Sequence, residues 1–186
     1  MKTYVLFLRA VNVGGNNMIK MKDLIVWMEE LKFKNIKTYL QSGNVVFQSF
    51  TKAEHELTQL IAEMILRKTN LNIACQIRDV EEIMQINALL DRHESQKSPD
   101  SNLFVTLLSE QPSAENIQKL KEAKTDNDVV YVYGREAIVE CFQPYHKTKL
   151  TNNLFEKMLK VNATSRNDKT MRALMKEAES VNSIIN

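Results

Sequence analysis

The stretch Ile36-Lys37-Thr38-Tyr39-Leu40-Gln41-Ser42-Gly43-Asn44-Val45-Val46-Phe47-Gln48 decides the fold. Residues 36–40 and 45–48 are rich in β-branched and aromatic side chains, and Ser42-Gly43 between them is the signal of a tight, two-residue hairpin. Working upstream, Met21, Leu24, Ile25, Met28 and Leu31 recur at helical spacing over 21–31, and Thr3–Arg9 is a short apolar run that reads as a strand. Downstream, Leu57, Leu60, Ile61, Met64 and Ile65 mark a second helix over 53–69. Leu71, Ile73, Cys75 and Ile77 then alternate as a strand does. The order is β-α-β-β-α-β, the ferredoxin-like unit.

The same order then restarts. A connecting helix over 80–90 leads into the polar stretch 91–102, which contains Pro99 and reads as a linker. Leu103–Leu108 is a strand, and Ser113 stands where it would cap a helix over 114–123. Val129–Tyr133 and Ala137–Phe142 form a hairpin around Gly134-Arg135. Thr151 caps a helix carrying Leu154, Phe155, Met158 and Leu159, and Val161–Thr164 reads as a short last strand. Asn167 opens a final helix over 168–178, with Met171, Leu174, Met175 and Ala178 inward. The expected fold is α+β: duplicated ferredoxin-like βαββαβ units with an added helix after each, divided 1–90, 91–102 and 103–186.

Composition bounds the class. Of 186 residues, 44% are hydrophobic and 26% charged, which excludes a disordered chain or a disulfide scaffold. No apolar run approaches the ~18 residues of a membrane span, and Tyr4-Val5-Leu6-Phe7-Leu8 is too short for a secretory core. The two cysteines, Cys75 and Cys141, suit a reducing cytoplasm and offer no metal-type spacing. Net charge is only +2 but unevenly spread: +4 over residues 1–48, −6 over 49–143 and +6 over 144–176. If the two basic blocks adjoin, they make a cationic face for a polyanion; read blandly, they solubilise exposed helices.

Only four glycines occur, two of them adjacent. Leu8-Arg9-Ala10-Val11-Asn12-Val13-Gly14-Gly15-Asn16-Asn17 sets glycines and amides between a strand and a helix, the arrangement in which backbone N–H groups converge on an anion. The loop lacks the Gly-Lys-Ser/Thr of a Walker A motif and a complete G-x-G-x-x-G. Lys20 and Lys22 oppose the dipole at the helix start, which calls for an anion or an acidic neighbour. The competing reading is a connection whose asparagines satisfy their own backbone. A second cluster, Lys147–Asn152 with Thr164–Thr170, combines hydroxyls, amides and cations before two helices. Arg166 there could fork onto an anion, although capping alone explains Thr151, Thr164 and Asn167.

Leu8–Gly15, Met21–Leu24 and Thr38–Phe47, with Phe104–Ser109, Lys149–Asn152 and Thr164–Asn167 followed by Thr170, resemble the motifs of a bacterial family called domain of unknown function 1697. The resemblance implies a cytoplasmic bacterial protein with a duplicated α/β fold, and it implies no activity. This chain departs from the family at Ala10-Val11, where Gly-Ile is usual, and at Lys32, at Tyr145-His146-Lys147 and at Asp168, where a tryptophan is usual. The matching polar or glycine positions are Arg9, Asn12, Gly14, Gly15, Ser42, Gly43, Asn44, Lys149, Arg166 and Asn167.

Catalytic constellations are sparse. His55, His93 and His146 form no H-x-x-x-H or H-E-x-x-H pair, so neither a metal nor a cofactor is expected. Cys75 and Cys141 read as core, Ser42 as a hairpin serine without the G-x-S-x-G elbow, and Trp27 as core. Tyr39, Tyr131 and Tyr133 lie on strands, where ferredoxin-like RNA binders place stacking aromatics. The expected site therefore comprises Arg9, Asn12, Gly14, Gly15, Asn16, Ser42, Asn44, Lys149, Arg166 and Asn167, converging on a nucleotide or RNA phosphate. One alternative is an enzyme acting on a phosphorylated or carboxylated metabolite, with Arg9 and Lys149 orienting the anion and a hydroxyl or His146 moving a proton. The other is a protein-interaction scaffold without a ligand.

Overall fold

The computed structural model describes residues 1–51, 53–123 and 125–183. It divides into two compact units, Met1–Met84 with Arg172–Asn186, and Gln85–Met171. The first contains β1 (Lys2–Leu8), α1 (Met21–Glu30), β2 (Lys34–Tyr39), β3 (Asn44–Ser49), α2 (Glu54–Thr69) and β4 (Cys75–Asp79). The helix α3 (Val80–Glu94) begins there and ends in the second unit. The second holds β5 (Asn102–Leu108), α4 (Ala114–Lys121), β6 (Val129–Tyr133), β7 (Glu136–Cys141), a 3-10 turn (Tyr145–Lys147), α5 (Asn152–Leu159) and β8 (Ala163–Asn167). The last helix, α6 (Asp168–Asn182), starts in the second unit and finishes in the first.

Each unit is a four-stranded antiparallel sheet, in the orders β2-β3-β1-β4 and β6-β7-β5-β8. That is the ferredoxin-like order twice over, so the duplicated α+β fold read from the sequence is the observed one. In the first unit, period-two alternation sends Tyr4, Leu6 and Leu8 of β1 and Val45 and Phe47 of β3 to one face. There they meet Met21, Leu24 and Met28 of α1 and Leu57, Ile61, Met64 and Ile65 of α2. The opposite face carries Val5, Phe7, Val46, Gln48, Gln76 and Arg78, also buried. The closing half of α6 covers part of it: the Gln48 amide donates to Val181 O at 3.0 Å, and Lys37 pairs with Glu177 at 3.0 Å. In the second unit, Ala137, Val139, Cys141 and Ala163 face Leu120 of α4 and Phe155 and Leu159 of α5. Ser113 and Thr151 cap α4 and α5 through Asn116 N–H and Leu154 N–H, as their positions imply.

Four local features differ from the sequence reading, each for a physical reason. The β2–β3 connection has four residues, 40–43, rather than two, because both Leu40 (φ 57°) and Gly43 (φ 72°) turn left-handed. A Cβ on Gly43 would lie 2.7 Å from Leu8 Cβ, so close approach to β1 as well as φ demands glycine. β4 starts at Cys75; Leu71 and Ile73 pack on the core ahead of the paired segment. β8 starts two residues later than Val161–Thr164 and ends three later, which brings Ser165, Arg166 and Asn167 into the sheet. Finally, α3 extends through residues 91–94, so His93 is a buried helical residue and not a linker one. The rest of the expected linker is pinned in the second unit, where Ser98 N–H (2.9 Å) and Ser101 Oγ (2.6 Å) donate to Glu140.

Candidate ligand-binding site

The β1–α1 connection is a small hairpin hung from the end of β1. Val13 and Asn16 form an isolated antiparallel bridge across Gly14-Gly15, whose φ of 58° and 78° are the pair of positive angles a type I′ turn requires. A Cβ at Gly15 would meet nothing within 4 Å, so the turn and not packing selects glycine there. Asn12 fixes the hairpin's base. Its Nδ2 donates to Ile19 O (2.8 Å) and Gln41 O (2.7 Å), and its Oδ1 accepts from Ile19 N–H (2.8 Å). Asn17 Nδ2 donates to Ala10 O at 3.1 Å. Val11 and Ile19, on either side, are sunk in the core. The loop is thus preorganised by its own amides, and Asn12 also ties it to the β2–β3 turn.

In that neighbouring turn, the Asn44 amide donates to Tyr39 O and to Ser42 Oγ, both at 3.0 Å. Asn44 is fully buried. Asn12, Ser42 and Asn44 therefore shape the two loops, and what they present outward is different: the Gly14-Gly15 backbone, exposed Asn16, exposed Lys20 and Lys22, and half-buried Arg9. Lys20 occupies the N-cap of α1 without a side-chain cap bond, and Asp23 is the acidic residue of that first turn. Three large apolar side chains, Val13, Met18 and Leu40, are each more than half exposed on the same two loops.

Lys149, Arg166 and Asn167, expected in this cluster, belong to the second unit, and each is engaged there. Lys149 pairs with Asp126 at 2.7 Å. The β8 register sets Arg166 opposite Val105, on the sheet face away from α4 and α5, so it does not fork at the start of α6. Its Nη1 donates to Thr164 Oγ1 and Ser165 O, both 2.8 Å, and burial pulls its pKa down to about 10, leaving it charged at neutral pH. Asn167 Oδ1 caps Thr170 N–H at 2.8 Å. The first unit repeats this pattern: buried Arg78 Nη1 donates to Ile77 O at 2.8 Å, and Asp79 Oδ1 accepts from Glu82 N–H at 2.9 Å. Asp79 also accepts from Lys2 at 2.6 Å; burial pushes its carboxyl up, and the Lys2 ammonium with the helix N–H groups more than reverses that.

Several organising groups lie outside the expected site residues. Asp128, buried, accepts from Phe142 N–H (2.9 Å) and from the Thr148 hydroxyl, and so holds the 142–148 segment. Glu140 follows Ile138 by one strand period and faces away from Val139 and Cys141; that alternation was the available signal for its burial. Cys75 and Cys141 are core thiols, pushed up to about 12 and about 11, chiefly by burial. Among the described residues, no group of three His, Cys, Asp or Glu is placed to hold a metal. No described helix is long and apolar enough to cross a membrane.

These features define a duplicated ferredoxin-like α+β protein whose two units differ in the lengths of their connections. The family described as "Protein of unknown function (DUF1697)" matches residues 1–137, and the chain belongs to it. Among solved structures, it is similar to the conserved bacterial protein SP0830 from Streptococcus pneumoniae, at a TM-score of 0.65 and 20% identity, over 95% of this chain and 98% of that one. That likeness is one of fold. No curated protein matches the chain.

Proposed function

We propose that this chain is a binding protein for a phosphate-bearing ligand, a nucleotide or short RNA, which docks on the Gly14-Gly15 hairpin of the first unit. The observation that carries the reading is internal to the molecule. The second unit makes the equivalent strand-to-helix connection with residues 109–113 alone, whereas the first uses 9–20. The fold does not require the extra length, and long, well-anchored loops are where binding function concentrates. Preorganisation by Asn12 lowers the ordering cost of binding. The Val13–Asn16 bridge leaves the Gly14 and Gly15 peptides outside any strand ladder, on a connection that also carries Arg9 and Lys20 and leads into Lys22 of α1. Donors and positive charge suit an anion. Two buried free thiols suit a reducing cytoplasm.

Titrating a nucleoside triphosphate and a short single-stranded RNA at two salt concentrations tests the reading. Binding that weakens as salt rises is expected; no binding of either ligand, or binding indifferent to salt, contradicts it. A second reading, docking of a protein partner without phosphate, is favoured by one observation, the exposure of Val13, Met18 and Leu40. It predicts that replacing these three by polar residues, and not removing the cations, abolishes partner binding.

A further inference from the structure

The second unit contains a cavity of about 250 Å³ remote in sequence from the glycine hairpin, lined by Arg92, His93, Gln96, Lys97, Tyr131, Tyr133 and Glu140. Three of the seven lining side chains are aromatic. The His93 ring lies 4.5 Å from the Tyr131 ring and 5.7 Å from that of Tyr133, and its Nε2 shares a hydrogen bond with Tyr133 Oη at 2.8 Å. Glu140 supplies the carboxylate of the lining, and it is only 8% exposed. Both bonds that Glu140 accepts, from Ser98 N–H and Ser101 Oγ, go to Oε1. Both donors are neutral. The nearby Lys97 ammonium is aimed elsewhere, at Ser101 O (3.0 Å), Ser98 O (3.3 Å) and the Glu94 carboxylate (3.7 Å).

A carboxylate this buried is costly unless a positive charge answers it. The Tyr131 and Tyr133 rings line the same cavity, and a tyrosine ring attracts cations through its quadrupole. We propose that this cavity binds a small organic cation, a primary amine or methylated ammonium, held between Glu140 Oε2 and the ring faces of Tyr131 and Tyr133. The volume admits a headgroup of that kind. Arg92 sits exposed at the rim, where solvent screens it, and there disfavours long cationic chains passing over it. The site uses no residue of the glycine hairpin, so the two proposals stand or fall separately.

The full chain is titrated with tetramethylammonium chloride and with propylammonium chloride, against sodium chloride at equal ionic strength, while the ring resonances of His93 and Tyr131 are followed by NMR. Saturable shifts with at least one ammonium and none with sodium are expected. Glu140→Gln keeps an oxygen to accept from Ser98 and Ser101 but removes the charge, and weakens binding by about tenfold or more. Tyr131→Leu, at a more exposed position, weakens it independently of how Glu140→Gln folds. The proposal is overturned by the absence of saturable shifts, by equal affinity in a folded Glu140→Gln protein, by unchanged affinity in Tyr131→Leu, or by adenine, a neutral planar ring, binding more tightly than either ammonium.

Discussion

At the end of β1, Leu8 N–H donates to Gly43 O (2.8 Å) and Arg9 N–H to Ala74 O (3.0 Å); at the end of β5, Leu108 N–H donates to Arg135 O (2.9 Å) and Ser109 N–H to Asn162 O (3.0 Å). The two units thus share their strand-end bonding and differ in what they add to it. The first elaborates the connection leaving its first strand, residues 9–20. The second elaborates the connection leaving its third, residues 142–151, with a 3-10 turn held by Asp128. Because first and third strands run antiparallel, the two elaborations lie at opposite ends of their own sheets. The duplicated scaffold has kept the register of its first strand against both neighbours. Its variation lies in the edge strand, where β2 shifts register between Lys34 and Lys37 and β6 does not, and in the loops.

The two units should part most widely at their hairpin glycines. Gly43→Ala combines a left-handed φ with a Cβ driven against Leu8, and should cost about 3 kcal/mol or more. Gly134→Ala, at φ 59° with open space around it, should cost only ~1 kcal/mol. Chemical denaturation of both variants measures the difference, and equal losses would mean the close approach at Gly43 is unimportant. Between these two falls Asn12→Ala, which deletes three hydrogen bonds at the hairpin base and should cost roughly 2 kcal/mol. Its destabilisation should be accompanied by faster amide exchange at Ile19; protected exchange would show that the loop is held otherwise.

The smallest effect is a pH dependence belonging to the second unit. Burial, reinforced by Arg92 and opposed by Glu140, holds the His93 imidazole below its ordinary 6.5. The unfolded chain then takes up the proton first, so folding stability falls as pH drops below 6.5 and levels off once the lowered native value is passed. A His93→Gln protein should lack that component, giving a flatter stability curve on the acid side of 6.5. An unchanged curve would place His93 in solvent-like surroundings.

Strand and helix order was legible because periodicity is a local property: Leu57, Ile61, Met64 and Ile65 declare a helix without knowledge of what they pack on. Gly43 was legible as a turn, but its close approach to Leu8 was not, because Leu8 lies 35 positions away in the chain. The glycine loop was found by composition, yet the role of Asn12 depends on Gln41 and Ile19, which only the folded chain brings within reach. Arg166 misled for the same reason. Two residues of strand register turned an expected anion fork into a residue bonded along its own strand. Charge blocks summed along a sequence carry no information on which unit, or which face, a cation occupies.

If Lys20 and Lys22, at the start of α1 after the Gly14-Gly15 hairpin, contact ligand phosphates, removing them must change how salt competes with the ligand. The decisive experiment is the salt dependence of affinity for a short single-stranded RNA, compared between the wild type and the Lys20→Ala/Lys22→Ala double variant, with Lys149→Ala as the second-unit control. The slope of log K against log salt should shrink by about 1.4 in the double variant, at roughly 0.7 for each phosphate no longer neutralised, and stay unchanged in Lys149→Ala. An unaltered slope in the double variant would refute the assignment of these lysines to the ligand.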